Sequence, residues 1–354
     1  MFNQYTDPLE QRMTTLEEEE QARTLAARYR MQAAYEELTT PAINFLVKTK
    51  PLPWESLESL LFRASAQNHL SGISVLERAL MLPENGLMSI KRHLQLSIAL
   101  GQDSNTLSPV IPTLTSKTTI KLYGQTLPIK HVALTTSRVC PRCLDEFGYG
   151  KSYWLLALFP ICEIHNCQLI DSCPRCEKPL TGARPSYDYC SCGTQYSKIN
   201  STECPEPLHE MSKVLAGKFI QQSTNCGTDY FPNDFLSLDL VDMLELLAFL
   251  GALSEDPSAT YLGLSHRVVS LRHVNRLYQK SSNALLDWPN GFHKLLATSR
   301  SFRSYNETPA SVYKSISHIT GVIPPGAQRK WCRFILSGIE SFLKRRESWS
   351  LSSY

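Results

Sequence analysis

Cys140-Pro-Arg-Cys143, an 18-residue spacer and Cys162-Glu-Ile-His165, then Cys173-Pro-Arg-Cys176, a 13-residue spacer and Cys190-Ser-Cys192, form the stretch on which this chain turns. Eight of its 11 cysteines lie there. Each cluster is a pair, a loop and a second pair, the pattern by which a chain surrounds one tetrahedral zinc with four thiolate or imidazole ligands. The expected ligands are Cys140, Cys143, Cys162 and His165 for one ion, and Cys173, Cys176, Cys190 and Cys192 for the other. Cys167, two residues past His165, is the alternative fourth ligand of the first site. A lone C-x-x-C is also the redox dithiol motif, but a redox site does not need four ligand pairs. A disulfide framework belongs to secreted chains, and no signal peptide is visible. With four protein ligands each, both zincs are expected to be structural, two per chain, with no position open for water. The deaminase signature is missing, because here the proline sits inside the C-x-x-C.

Outward from this centre, 354 residues predict two or three domains. The net charge of +3 is uneven: Thr260 to Tyr354 carries 14 Lys and Arg against 4 Asp and Glu. A basic C-terminal third suits a polyanionic partner, or an ordinary solvated helical surface. The longest apolar run, Trp154 to Cys162, is too short for a bilayer, so no membrane partner is expected, and the reduced cysteines point to the cytoplasm.

Residues 1–50 read as a charged extension with a helix from Leu16 to about Leu38. From Pro51, Ser56 is placed to cap a helix whose Leu57, Leu60, Leu61 and Ala64 fall at i, i+3, i+4 and i+7. A turn at Asn68–Gly72 and a helix over Ile73–Leu82 complete a helix–turn–helix outline, which any small helical bundle also offers. A third helix, from about Leu87 to Leu100, carries Lys91, Arg92 and His93, which could meet phosphate. Gly101–Lys117 reads as a surface linker and Glu203–Pro232 as irregular, with Cys204 and Cys226 as spare thiols. Asp234–Leu253 reads as one core helix. Ser265 is expected to cap another, with Val268, Leu271, Val274 and Leu277 buried and Arg272, Arg276 and Lys280 on a different face. Asp287-Trp288-Pro289 stops it. Trp288 and Phe292 are then core anchors and His293 a satisfied polar group. The closing helix, Pro325 to Arg346, offers Arg329, Lys330 and Arg333 as further contact residues; Lys344-Arg345-Arg346 suits its C-terminal dipole. The expected architecture is mainly α, with helix–turn–helix-type domains around a tandem zinc-finger region. The expected boundaries are 1–50, 51–135, 136–204 and 205–354.

Pro53-Trp-Glu55-Ser56-Leu57-Glu58-Ser59-Leu60-Leu61-Phe62-Arg63 resembles the opening motif of the TniQ family of transposition targeting proteins. The likeness continues through Cys140-Pro-Arg-Cys143-Leu144, Gly148-Tyr149, Trp154 and Cys162-x-x-His165-x-x-x-Leu169. It resumes at Ala284-Leu285-Leu286-Asp287-Trp288-Pro289-Asn290-Gly291-Phe292-His293, similar to the family's W-P-x-x-F segment. The acidic extension before residue 50 departs from the pattern. The chain also has no counterpart of the long C-terminal DNA-binding region of TnsD-type relatives. The resemblance therefore implies the shorter relatives of CRISPR-associated transposons. Such a protein is a DNA-integration adaptor that docks as a homodimer on a Cascade complex with its crRNA and target DNA, and recruits the transposition AAA+ ATPase and transposase. The other reading is a TnsD-type selector that binds an attachment site directly. No Walker A loop, acidic triad or nucleophile–base pair is recognisable, so the chain is not expected to be an enzyme.

Overall fold

A computed structural model describes residues 45–79, 90–134, 136–221, 229–253, 270–298 and 330–351. The expected helix at 16–38, Cys226, Ser265, Val268 and Arg329 lie outside these residues.

The N-terminal unit follows its apolar periodicity. Helix α1 (Leu57–Gln67) starts at Ser56, whose hydroxyl accepts from the Ser59 N–H. Its Leu57, Leu60, Leu61 and Ala64 are buried against Ile73 and Leu76 of α2 (Ile73–Ala79) and Leu96, Ala99 and Leu100 of α3 (Ile90–Leu100). Residues 80–82 and 87–89, the expected ends of α2 and α3, are outside the described residues. Phe45 already belongs to this core, its N–H donating to the Ala99 carbonyl.

Gly101–Lys117 is not a surface linker. Asp103 caps the short helix α4 (Ser104–Leu107), and Leu107, Val110 and Ile111 are buried in the same core. An antiparallel sheet follows: β1 (Thr113–Leu114), β2 (Thr119–Leu122) and β3 (Gln125–Pro128), in that order. Tyr123 and Gly124 join β2 to β3 with φ of 47° and 80°, the two left-handed positions of a type I′ hairpin. The mainly α expectation thus needs two small sheets added; the second pairs β4 (Ile161–Cys162) with β5 (Cys167–Gln168).

The larger core gathers the first cysteine cluster, the hairpin and the C-terminal helices. Three expectations are corrected. Glu203–Pro232 is not irregular: α6 (Glu206–Phe219) runs through it, Pro207 standing in the first turn where its missing N–H costs nothing. Asp234–Leu253 is two helices, α7 (Asn233–Leu236) and α8 (Leu240–Ala252), because Asp239 accepts from the Asp242 N–H and starts a new one. The next helix, α9 (Leu271–Leu286), follows Ser270, which makes no side-chain cap. It crosses α8 so closely that a Cβ on Gly251 would stand 2.8 Å from the Leu277 carbonyl oxygen.

As expected, α9 stops before Asp287. Trp288 stacks on Phe334 at 4.1 Å and on Phe292 at 5.1 Å between ring centroids. Helix α10 (Asn290–Thr298) buries Phe292, and His293 Nε2 lies 3.1 Å from the Gly338 carbonyl. Helix α11 (Lys330–Leu351) buries Trp331, Ile335 and Ile339 and continues past Arg346. Lys344–Arg346 therefore stands before the final turn rather than at a helix end, and Arg345 bonds the Asn290 side chain at 2.7 Å.

Two buried carboxylates in this fold are paired, one within the N-terminal unit and one across the larger core. Glu55, fully buried, takes a bidentate fork from Arg63, both bonds 2.7 Å, and further bonds from the Ser59 hydroxyl and the Leu52 N–H. Glu245 on α8 faces Lys130 at 2.7 Å and His131 Nε2 at 3.0 Å, the latter an ion-pair distance outside hydrogen-bond geometry. Burial opposes ionisation of Glu245, but the His131 and Lys130 contacts outweigh it and hold its carboxyl down at about 2.

Candidate metal centres

The first centre is built by a helix start and a hairpin. Cys140 is the N-cap of α5 (Pro141–Phe147), and its Sγ accepts from the Cys143 N–H at 3.4 Å. Pro141 at the first helical position and Gly148 at φ 72° just past the end hold Cys140 and Cys143 on one short turn. The second pair comes from the β4–β5 hairpin, where Asn166 takes a left-handed φ of 46°. The donors of Cys140, Cys143, Cys162 and His165 converge within 4.8 Å of one another. Cys143 Sγ lies 3.6 Å from Cys162 Sγ and 3.1 Å from His165 Nδ1, which is 3.6 Å from Cys140 Sγ and 3.7 Å from Cys162 Sγ. Zinc–sulfur bonds of ~2.3 Å meeting at a tetrahedral angle place two thiolates ~3.8 Å apart, and a thiolate and an imidazole slightly closer. The four donors thus match a zinc tetrahedron in size and chemistry.

His165 is also oriented as a ligand. Its Nε2 lies 2.7 Å from the Glu146 carboxylate, one α5 turn beyond Cys143, so the Nε2 proton is held there and Nδ1 is left with its lone pair toward the thiols. Cys167 Sγ is 3.5 Å from Cys140 Sγ but does not join the converging four.

The second centre is smaller and nearer the surface. Cys173, Cys176, Cys190 and Cys192 bring their sulfurs within 4.8 Å of one another, with 3.6 Å between Cys173 and Cys192 and 3.5 Å between Cys176 and Cys190. Gly193 turns at φ 85°, its N–H donating to the Cys190 carbonyl, which closes the tight Cys190–Cys192 pair. Cys192 is exposed, and the Thr194 hydroxyl 3.2 Å away holds its thiol down at about 6, favouring the thiolate a metal needs. None of these cysteines forms a disulfide. Both clusters could hold a metal ion, and two zincs fit them.

The motif around Glu55 attaches the N-terminal unit to this frame. The Trp54 carbonyl accepts from the Ser152 N–H, and the Glu55 carbonyl accepts from the Ser152 and Tyr123 hydroxyls. Glu58 receives two bonds from Arg184, in the loop of the second cluster, and one from Ser137. The Arg184 guanidinium lies against the rings of both Phe62 and Tyr187, 4.8 and 4.9 Å from their centroids.

The expected contact cations within the described residues sit on two helices. Arg272 and Arg276 are exposed on α9, where Arg276 bonds His273 at 3.0 Å, and Lys280 is half-buried. Lys330 and Arg333 are exposed on α11. Both helices pack against α8. His93 is half-buried, and burial holds its imidazole below the ordinary value, which weighs against a phosphate contact there.

Residues 46–169, from the approach to α1 through β5, match the TniQ family model. Over these residues the chain carries a TniQ domain. A TniQ domain implies a protein that targets transposition. The match takes in the Glu55 motif and the whole first centre, about a third of the chain, and stops before the second. No curated protein sequence matches the chain. None of the described helices is long and apolar enough to cross a membrane.

Proposed function

We propose that this TniQ protein is a non-catalytic targeting adaptor of a bacterial transposon. It docks as a homodimer on a crRNA-guided Cascade complex in the cytoplasm and recruits the transposition ATPase and, through it, the transposase. Two zincs, on Cys140, Cys143, Cys162 and His165 and on Cys173, Cys176, Cys190 and Cys192, act as cross-links that keep the docking surface rigid. The observation that carries the reading is the way the TniQ motif is used. The Glu55 and Arg63 side chains are spent on bonds within the helical unit, and the Glu58 carboxylate and Glu55 carbonyl on bonds that lock that unit to the metal-held centre, so the motif builds a shape rather than a chemical site. The exposed face of α2, where a recognition helix would read DNA, carries one cation among its described side chains, Arg78, which is bonded to its own helix at the Ser74 carbonyl. Arg272, Arg276, Lys280, Lys330 and Arg333, with Arg329, are then the C-terminal residues offered to nucleic acid or partner.

Co-expression with Cascade components of a CRISPR-associated transposon, with and without guide RNA, tests the reading. Stoichiometric co-purification at physiological salt, with about two copies per complex if a dimer docks, is the expected result. A chain that ignores Cascade and footprints one duplex site at that salt is instead the direct attachment-site reader. Binding to naked DNA should be weak and fall steeply with salt, as for contacts to phosphate alone.

Zinc content tests the ligand assignment. His165→Ala should lose about one ion per chain while Cys167→Ser keeps both, because the Glu146–His165 bond presents Nδ1 to the metal. The reverse pattern transfers the fourth position to Cys167.

A further inference from the structure

The start of α6 holds donors that neither cysteine centre uses. Glu206, His209 and Glu210 stand at i, i+3 and i+4, one helical face, and their ligand atoms lie within 4.8 Å of one another. The spacing Glu-x-x-His is one by which a single helix offers a carboxylate and an imidazole to the same metal. His209 is only 7% exposed. Its Nε2 lies 2.9 Å from the Glu163 carbonyl, an acceptor, so that nitrogen carries the proton and Nδ1 carries the lone pair. Nδ1 is buried without a hydrogen-bond partner, 3.7 Å from Glu206 Oε1. A buried imidazole lone pair this near a carboxylate oxygen repels it, and a cation between the two removes that repulsion.

We infer that Glu206, His209 and Glu210 form a third metal site, for a divalent transition cation of the zinc class, distinct from the two cysteine centres. One imidazole and two carboxylates are a borderline-to-hard donor set that selects such ions over soft ones. Three protein ligands leave positions for water, so this site is open where the cysteine sites are closed. Two features make it the weak one. Lys213 Nζ sits 2.6 Å from Glu210 and 3.8 Å from Glu206 and must be displaced. The helix N-terminus also disfavours a cation. Because His209 is held by Glu163, next to Cys162, a metal here clasps α6 to the loop of the first centre.

Full-length protein carrying its resident zinc is dialysed against added zinc, bound metal is counted, and Co2+ is titrated into the same protein to read the visible spectrum. One further equivalent, stripped by a mild chelator that leaves the resident metal, is expected. Glu206→Gln with Glu210→Gln, the first exposed and the second half-buried and both isosteric changes, should lose that equivalent or weaken it about tenfold or more while the circular dichroism is unchanged. Lys213→Met should tighten it by about tenfold, the competing charged bonds being gone. The absence of a further equivalent from the wild-type chain overturns the site. So does a further equivalent that survives in the double glutamine variant, which would place the metal elsewhere. Because the comparison is between variants of one chain, it stands or falls independently of Cascade docking.

Discussion

Replacing Cys143 with serine is expected to drop bound zinc from two ions per chain to one and to unfold the larger core. Cys143 is fully buried, its sulfur 3.6 Å from Cys162 and 3.1 Å from His165, and the cluster it completes lies inside the apolar contacts of that core. Structural zinc contributes apparent free energies of about 10–16 kcal/mol to small metal-folded units, as large as the ~5–15 kcal/mol by which whole domains are stable. The variant should therefore lose near-ultraviolet dichroism and cooperative melting, not shift its midpoint. Cys192→Ser is the graded comparison: with its side chain at the surface, it should release the second ion and leave the larger core melting cooperatively. Elemental analysis with thermal melts decides the matter. Retention of two ions and a native melt by Cys143→Ser would remove the metal from the fold altogether.

Arg138→Met is expected to destabilise the protein by roughly 3–5 kcal/mol, although the residue touches no cysteine ligand side chain. Arg138 is 5% exposed, and its guanidinium donates to the carbonyls of Trp154, Leu156, Ala157 and Phe159, with 2.6 Å to Leu156 and 3.1 Å to Ala157. Burial pulls Arg138 down to about 10, still charged at neutral pH. Methionine keeps the volume and strands four inward-facing carbonyls on the segment that leads from Trp154 to Cys162. Lysine should recover only part of the loss, since a single ammonium cannot reproduce a fork spread over four acceptors. Urea melts measure both, the midpoint falling by about 1–3 M for a typical urea slope. A Met variant as stable as wild type would mean that these carbonyls find other donors.

What the sequence disclosed was whatever is local. Cysteine spacing needs no knowledge of the rest of the chain, and the stripe Leu57, Leu60, Leu61, Ala64 with Ser56 before it contains its helix entire. The hairpin at Tyr123-Gly124 was equally local, with Ile120, Leu122 and Leu127 facing inward, but its strands are only four residues long and follow directly on a stretch that reads as a linker. Helix α6 was hidden by the prolines at 205 and 207, although Leu208, Met211, Leu215 and Phe219 keep helical spacing behind them. The bonds from Arg138 to the Trp154–Phe159 segment, from Arg184 to Glu58 and from Lys130 to Glu245 could not be read at all. Each joins residues far apart in sequence, and a charged side chain carries no mark of the partner it will bury against.

The smaller core closes late. Leu57, Leu60, Leu61 and Ala64 are covered in part by Leu180, Tyr187 and Tyr196, which lie in and beside the loop between Cys176 and Cys190. A ribosome making this chain has therefore exposed the whole of α1 well over a hundred residues before its last cover emerges, and that cover is held in shape by the second cysteine cluster. Metal delivery during synthesis then sets how long a sticky helical surface stays bare. Zinc-starved cells should accumulate this protein as aggregate or bound to chaperones, with the N-terminal helices as the exposed face.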